Sequence, residues 1–143
     1  MSTDLEALGQ AMKRAQYRNH RRMDAALGEA GVSLVQWDAL RAIDRMPAAS
    51  GHDLAVATFQ SDQSFGTLAN RLLDRGLIAR SAGRGRRIEH ALTDDGRAAL
   101  AAGHRIAAVV LEDLFAPLDE SERTALDRLL DRLLVHEPAP GAV

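Results

Sequence analysis

Cysteine is absent from the 143 residues, so disulfides, thiolate zinc sites and thiol redox sensing are excluded together. No stretch approaches the ~20 apolar residues of a membrane-spanning helix, so no membrane partner is expected. The first residues carry Asp4 and Glu6 instead of the apolar core of a secretory signal. A cytoplasmic location follows as the expectation. Aromatic residues make up 3% of the chain, whereas alanine, leucine and arginine are abundant, which favours helices. The signatures of several enzyme classes are also missing: Gly-x-Ser-x-Gly, a phosphate-binding loop, His-Glu-x-x-His and a cysteine nucleophile. The carboxylate pairs Asp94-Asp95 and Asp119-Glu120 stand where helices begin, and capping accounts for them. His20 and Asp24, four residues apart, are metal-ligand types, but nothing nearby completes a set. The chain is therefore expected to be neither an enzyme nor a metal or cofactor protein.

The net charge of −2 conceals an uneven distribution. Residues 1–62 sum to −1, residues 63–90 to +4 and residues 91–143 to −5. A basic segment between acidic ones marks a local contact with a polyanion. Arginines that merely solvate a surface hairpin would give the same balance.

The length suits one domain, which buries roughly 68–70% of its unfolded surface and needs no staples. Leu5, Leu8, Met12, Ala15, Met23 and Leu27 lie on one face of a long amphipathic helix within residues 4–30, which stops at Gly31. Ser33-Leu34-Val35-Gln36 is a capping box, opening a helix with Trp37, Leu40 and Ile43 that ends before Pro47. After Leu92, Thr93 caps a helix that runs to about Phe115. Asp119 to Glu122 opens the last one, with Leu126, Leu129, Leu130, Leu133 and Leu134 in the strongest apolar stripe of the chain. The Pro138-Ala139-Pro140-Gly141 tail is expected to be disordered.

The segment from Ser50 to Gly96 is the most informative. Ser50 to Asp53 opens a short helix, Thr58-Phe59-Gln60 forms a turn, and Ser61 caps a second helix, Gln63 to Asp74, that stops at Arg75-Gly76. A hairpin follows, with strands Leu77–Ser81 and Arg87–Leu92 around the tip Ala82–Arg86. That order is a winged helix-turn-helix, mainly α with a small β-hairpin wing, whose physical use is to place one helix in a DNA major groove. On the second helix, Phe65, Leu68, Ala69 and Leu72 share the face to be buried. Gln63, Ser64, Thr67, Asn70 and Arg71 are left outside, and their side chains hydrogen-bond base edges or phosphates. An ordinary surface helix would show such a polar face too. The tip glycines Gly83 and Gly85 permit a tight turn, and Arg84, Arg86 and Arg87 suit a narrow minor groove or phosphate. A nucleotide cradle is disfavoured, because no helix begins after those glycines.

With these pieces in order, Ser50 to Gly96 resembles the DNA-binding lobe of the MarR (multiple antibiotic resistance regulator) family. The resemblance is carried by Leu72-Leu73-Asp74-Arg75-Gly76-Leu77-Ile78-Ala79-Arg80, by the tip arginine Arg86, and by Leu92-Thr93-Asp94-Asp95-Gly96-Arg97. With the long first helix and the two closing helices it extends over nearly the whole chain. It implies one domain, residues 1–143, with a winged lobe at 33–96, dimerisation helices at 4–30 and 98–136, and a tail at 137–143. It also implies a homodimer bound to double-stranded DNA at a palindromic operator, with half-sites ~34–36 Å apart. The function expected is a ligand-responsive repressor. A winged module that binds protein and never DNA is the alternative. The leucine stripe, with Leu5, Leu8 and Met12, suits the dimer interface, although an intramolecular core would use the same residues.

Two positions depart from the family pattern. Arg84 stands where wings usually carry an aspartate, two residues before the tip arginine. Thr67 stands where the reading helix often has an arginine. Asp62, ahead of the readers, would repel phosphate unless it caps the helix or accepts from a cytosine amino group, and capping is the expected role. The family often has a small-molecule pocket between its lobes, and the candidates for it are Tyr17, His20, Trp37 and His104, a set that suits a phenolic or other amphipathic effector. Trp37, at helical spacing with Leu40, also reads as core.

Overall fold

The structure is a computed structural model that describes residues 2–85 and 87–136. The tip residue Arg86 and the expected disordered tail, residues 137–143, lie outside the described residues. Six helices and one hairpin follow in the order α1 (Leu5–Leu27), a short 3-10 turn (Gly28–Ala30), α2 (Leu34–Arg45), α3 (Gly51–Ala57), α4 (Asp62–Asp74), β1 (Ile78–Ala82), β2 (Ile88–Leu92), α5 (Asp94–Leu114) and α6 (Glu120–Val135). The chain divides into two compact units, one up to Val110 and one from Leu111 onward.

Side-chain caps set most helix starts by satisfying amides that have no partner within the helix. The Asp4 carboxylate accepts from the amides of Glu6 and Ala7 at the start of α1. Ser33 with Gln36, Ser50 with Asp53, and Asp119 with Glu122 form complete capping boxes for α2, α3 and α6. Ser61 caps α4 by accepting from the Ser64 amide at 3.0 Å. The first helix stops where Gly31 takes a left-handed φ of 80°, a conformation that costs glycine nothing.

In the first unit, Leu27, Leu40, Ile43, Leu54 and Leu72 are completely enclosed. Phe65, Leu68, Ala69 and Leu72 form the buried face of α4, as the spacing requires. The larger of them, Phe65, Leu68 and Leu72, each contribute about 1.5–3 kcal/mol by leaving water. The strands pair antiparallel from Ile78 opposite Leu92 to Ala82 opposite Ile88. Thr93 joins the wing to α5: its amide donates to the Leu77 carbonyl at 3.1 Å, and its hydroxyl donates to the Gly76 carbonyl at 2.6 Å and accepts from the Gly96 amide at 3.0 Å. Gly96 packs so tightly there that an added Cβ would lie 1.9 Å from the Leu77 oxygen. The Leu-Thr-x-x-Gly spacing is therefore a backbone joint, and any side chain at its last position would separate it.

In the second unit, no residue of α6 is buried. Leu129, Leu130, Leu133 and Leu134 are all exposed, up to 83% at Leu134. The leucine stripe does not fill a core within the single chain. Arg123 steadies the turn before α6 by donating from Nε and Nη2 to the Phe115 carbonyl.

Candidate nucleic-acid interface

All five expected readers on α4, Gln63, Ser64, Thr67, Asn70 and Arg71, are exposed. Gln63, Ser64, Thr67 and Arg71 line one open groove of about 350 Å³, together with Val35, Gln60 and Leu68. Asn70 is exposed outside that groove. Local bonds decide what each side chain offers. Thr67 donates its hydroxyl proton back to the Gln63 carbonyl at 3.1 Å, so it presents a methyl group and an acceptor. Ser64 accepts from the Ser61 hydroxyl at 3.0 Å, which leaves its own O–H for an outside acceptor. Arg71 forms no ion pair among the described residues, and its guanidinium is available to a phosphate or a guanine edge.

The wing supplies cations beside this helix. Arg84 and Arg87 are exposed. Arg87 donates to the Ala48 carbonyl at 3.2 Å, which ties the base of the wing to the loop between α2 and α3. Arg80 donates from Nε to His90 Nε2 across the hairpin at 3.3 Å. His90 is buried, with its ring edge-on to Phe65 at 6.2 Å. Burial, with Arg80 as a smaller cause, holds its pKa below the ordinary 6.5. Because Nε2 accepts from Arg80, the ring proton belongs on Nδ1, which has no hydrogen-bond partner among the described residues.

Asp62 corrects an expectation. Ser61, with an extended backbone, is the cap; Asp62 already lies inside the helix and does not cap it. Its carboxylate instead meets His52 Nδ1 at 2.9 Å, joining the first turns of α3 and α4 at a surface where both side chains are 70% exposed. The hydrogen bond from Asp62 is the largest cause, and its charge the next, of a His52 pKa raised above 6.5. Sequence reasoning missed this pair, since ten residues of separation match no helical or strand period. Both residues do sit in the first turn after a serine cap, and that is the signal the chain carries.

The four expected pocket residues differ in their surroundings. Trp37 is 3% exposed, and its indole N–H donates to the Leu100 carbonyl at 3.3 Å. It packs against Gly103, where a Cβ would come within 2.1 Å of Nε1. Trp37 is thus a core side chain, the second of its two sequence readings. His104, exposed, touches its ring edge-on at 5.3 Å, and the Arg41 guanidinium lies 4.7 Å from its centre. His20 is half-buried near Asp38 and favours that carboxylate's charged form, although burial outweighs it and Asp38 titrates above its usual range. Tyr17 is 60% exposed under the Arg21 guanidinium, on a groove lined by α1 alone.

Among the described residues no helix is long and apolar enough to cross a membrane. The family model for MarR matches residues 30–88. A probable transcriptional regulator from Pseudomonas aeruginosa is 31% identical over 87% of this chain and 95% of its own, with a TM-score of 0.78. The Mycobacterium tuberculosis MarR family protein Rv2887 has been solved with DNA (25% identity, 88% of this chain, 96% of that one, TM-score 0.74). Its complex with p-aminosalicylic acid gives 26% identity, 88% and 97% coverage and a TM-score of 0.75. Bordetella bronchiseptica BpsR, whose DNA binding is regulated by 6-hydroxynicotinic acid, is 26% identical over 89% of this chain and 98% of its own, with a TM-score of 0.81. No curated protein sequence matches the chain. The capped polar helix, the basic wing beside it and these likenesses along nearly the whole chain have one conclusion: the protein belongs to the MarR family of winged helix-turn-helix transcription regulators.

Proposed function

We propose that the chain represses transcription as a homodimer on a palindromic operator and that a small aromatic acid releases it. Gln63, Ser64 and Thr67 read base edges in the major groove. Asn70 and Arg71 hold the backbone or an adjacent base, and Arg84, Arg86 and Arg87 grip the minor groove and its phosphates. The observation that carries this reading is the exposed face of α4, where a donor from Ser64, the amide of Gln63 and the cation of Arg71 share one groove. The homodimer is supported by apolar residues exposed on the terminal helices, among them Leu5, Leu8, Met12, Leu133 and Leu134. Apolar residues clustered on a surface in this way mark interaction sites.

The effector class rests on the relatives. Rv2887 takes p-aminosalicylic and salicylic acids, and BpsR responds to 6-hydroxynicotinic acid. All three are flat aromatic carboxylates bearing a hydroxyl. An acid of that kind would lower DNA affinity by favouring a spacing of the two reading heads that no longer fits the operator.

Fluorescence anisotropy on the intergenic DNA beside the gene, at two salt concentrations and with unrelated competitor, tests the reading. Tight, salt-sensitive binding that survives competitor is the expected result. Arg84→Ala with Arg87→Ala should weaken binding on every sequence and make the salt slope shallower by about one to two. Absence of binding even at low salt would refute the reading and favour the protein-binding alternative.

A further inference from the structure

The reading helix and the wing enclose a cleft of about 500 Å³, lined among others by Ser50 and His52 from α3, Asp62 and Phe65 from α4, and Arg80 and Arg87 from the wing. A duplex that takes α4 in its major groove and the hairpin in the adjacent minor groove has to lay the sugar–phosphate strand dividing those grooves across this cleft. A bare Asp62 carboxylate there repels phosphate. His52 is bonded to it through Nδ1 at 2.9 Å. That bond orients the ring and leaves Nε2 as the outward nitrogen of a side chain 70% exposed. With a proton on Nε2, the pair is neutral and offers an N–H to a phosphate oxygen. Without it, a lone pair and a negative charge both face the strand.

We propose that His52, positioned by Asp62, is a DNA phosphate contact that exists only when protonated, so that DNA binding takes up one proton at this pair. The inference rests on the reading helix and wing straddling one strand of DNA, as in the proposed function. The other charged groups around the ring come from its own helix, from α4 and from the wing. On its own helix, Asp53 is held charged, chiefly by hydrogen bonds from Ser50. Asp62 is the partner from α4. From the wing, Arg80 and Arg87 are permanent cations, and burial, then Arg80, lowers the pKa of His90. The carboxylate already lifts His52 above 6.5 in the free protein, and an approaching phosphate lifts it further.

The test measures binding of a fixed mixed-sequence duplex at low salt from pH 6 to pH 8.5, because a phosphate contact carries no sequence information. The proteins compared are wild type, His52→Gln, Asp62→Asn and the double variant. Both substitutions fall on exposed side chains, and circular dichroism checks the folding of all three variants. Wild-type Kd should rise as pH rises, at a rate approaching tenfold per pH unit within the window where the proton is taken up. Its salt slope should be shallower by about one at the alkaline end. His52→Gln should bind with little pH dependence and at the weak, alkaline level. The double variant should also be flat but tighter than His52→Gln, because the uncompensated carboxylate is gone. A wild-type pH profile retained in His52→Gln overturns the inference while leaving the DNA-binding reading intact. No binding by wild type at any pH overturns both.

Discussion

Gly96→Ala is the sharpest test of how the wing is mounted. The added Cβ would stand 1.9 Å from the Leu77 carbonyl oxygen. Since real Cβ atoms essentially never come within 3.0 Å of such a neighbour, α5 and β1 have to part by roughly 1 Å. That displacement stretches the three bonds of the joint: Thr93 amide to Leu77, Thr93 hydroxyl to Gly76, and Gly96 amide to Thr93. At about 1 kcal/mol each, their loss costs about 3 kcal/mol. Replacing glycine by alanine in a helix returns at most about 1 kcal/mol. The net loss is about 2 kcal/mol, or a fall in Tm of roughly 4–8 °C for a chain of this size. Gly9→Ala is the control. Gly9 is exposed in α1 with nothing within 4 Å of a built Cβ, so the same change should raise stability by about 0.5–1 kcal/mol. Thermal denaturation at fixed protein concentration reads both variants, since a dimer's Tm depends on concentration. A Gly96→Ala protein as stable as wild type would refute the claim that the glycine is required by backbone contact.

Two further outcomes follow from the same structure. His90 has a folded pKa below its unfolded value of 6.5, so its contribution to stability is complete above about pH 6.5 and declines as pH falls through the folded pKa. Tm measured between pH 7.5 and pH 5 should drop less in His90→Phe than in wild type, and equal drops would show that another group controls acid unfolding. Leu133, 57% exposed on α6, should be buried between protomers. Leu133→Glu is therefore expected to shift the protein toward monomer in analytical ultracentrifugation and to weaken operator binding at least tenfold, and an unchanged sedimentation coefficient would exclude this face from the interface.

Much of the architecture was legible in the chain because it is set by local chemistry. Ser33, Ser50, Ser61 and Asp119 mark their helix starts without help from distant residues. The 3.6-residue period of Phe65, Leu68, Ala69 and Leu72 fixes which face of α4 is buried, and therefore which residues remain outside as candidate readers. The order of helix, turn, helix and hairpin gave the family resemblance, and the likenesses to solved structures bear it out.

Other features depend on residues far apart in the chain, and only the folded molecule decides them. The spacing of Trp37 with Leu40 favours core over a pocket without deciding it; the Leu100 carbonyl and Gly103, more than sixty positions away, make it core. Asp62 has the composition of a cap, but the backbone begins the helix at Ser61 and leaves the carboxylate to His52. The apolar stripe of α6 has the same period whether it faces its own chain or another, and its exposure comes from the tertiary structure alone. Periodicity and capping are properties of neighbours along the chain, so the sequence by itself determined the elements and their faces. Which groups meet across elements depends on how those elements pack, and that was decided by the tertiary structure.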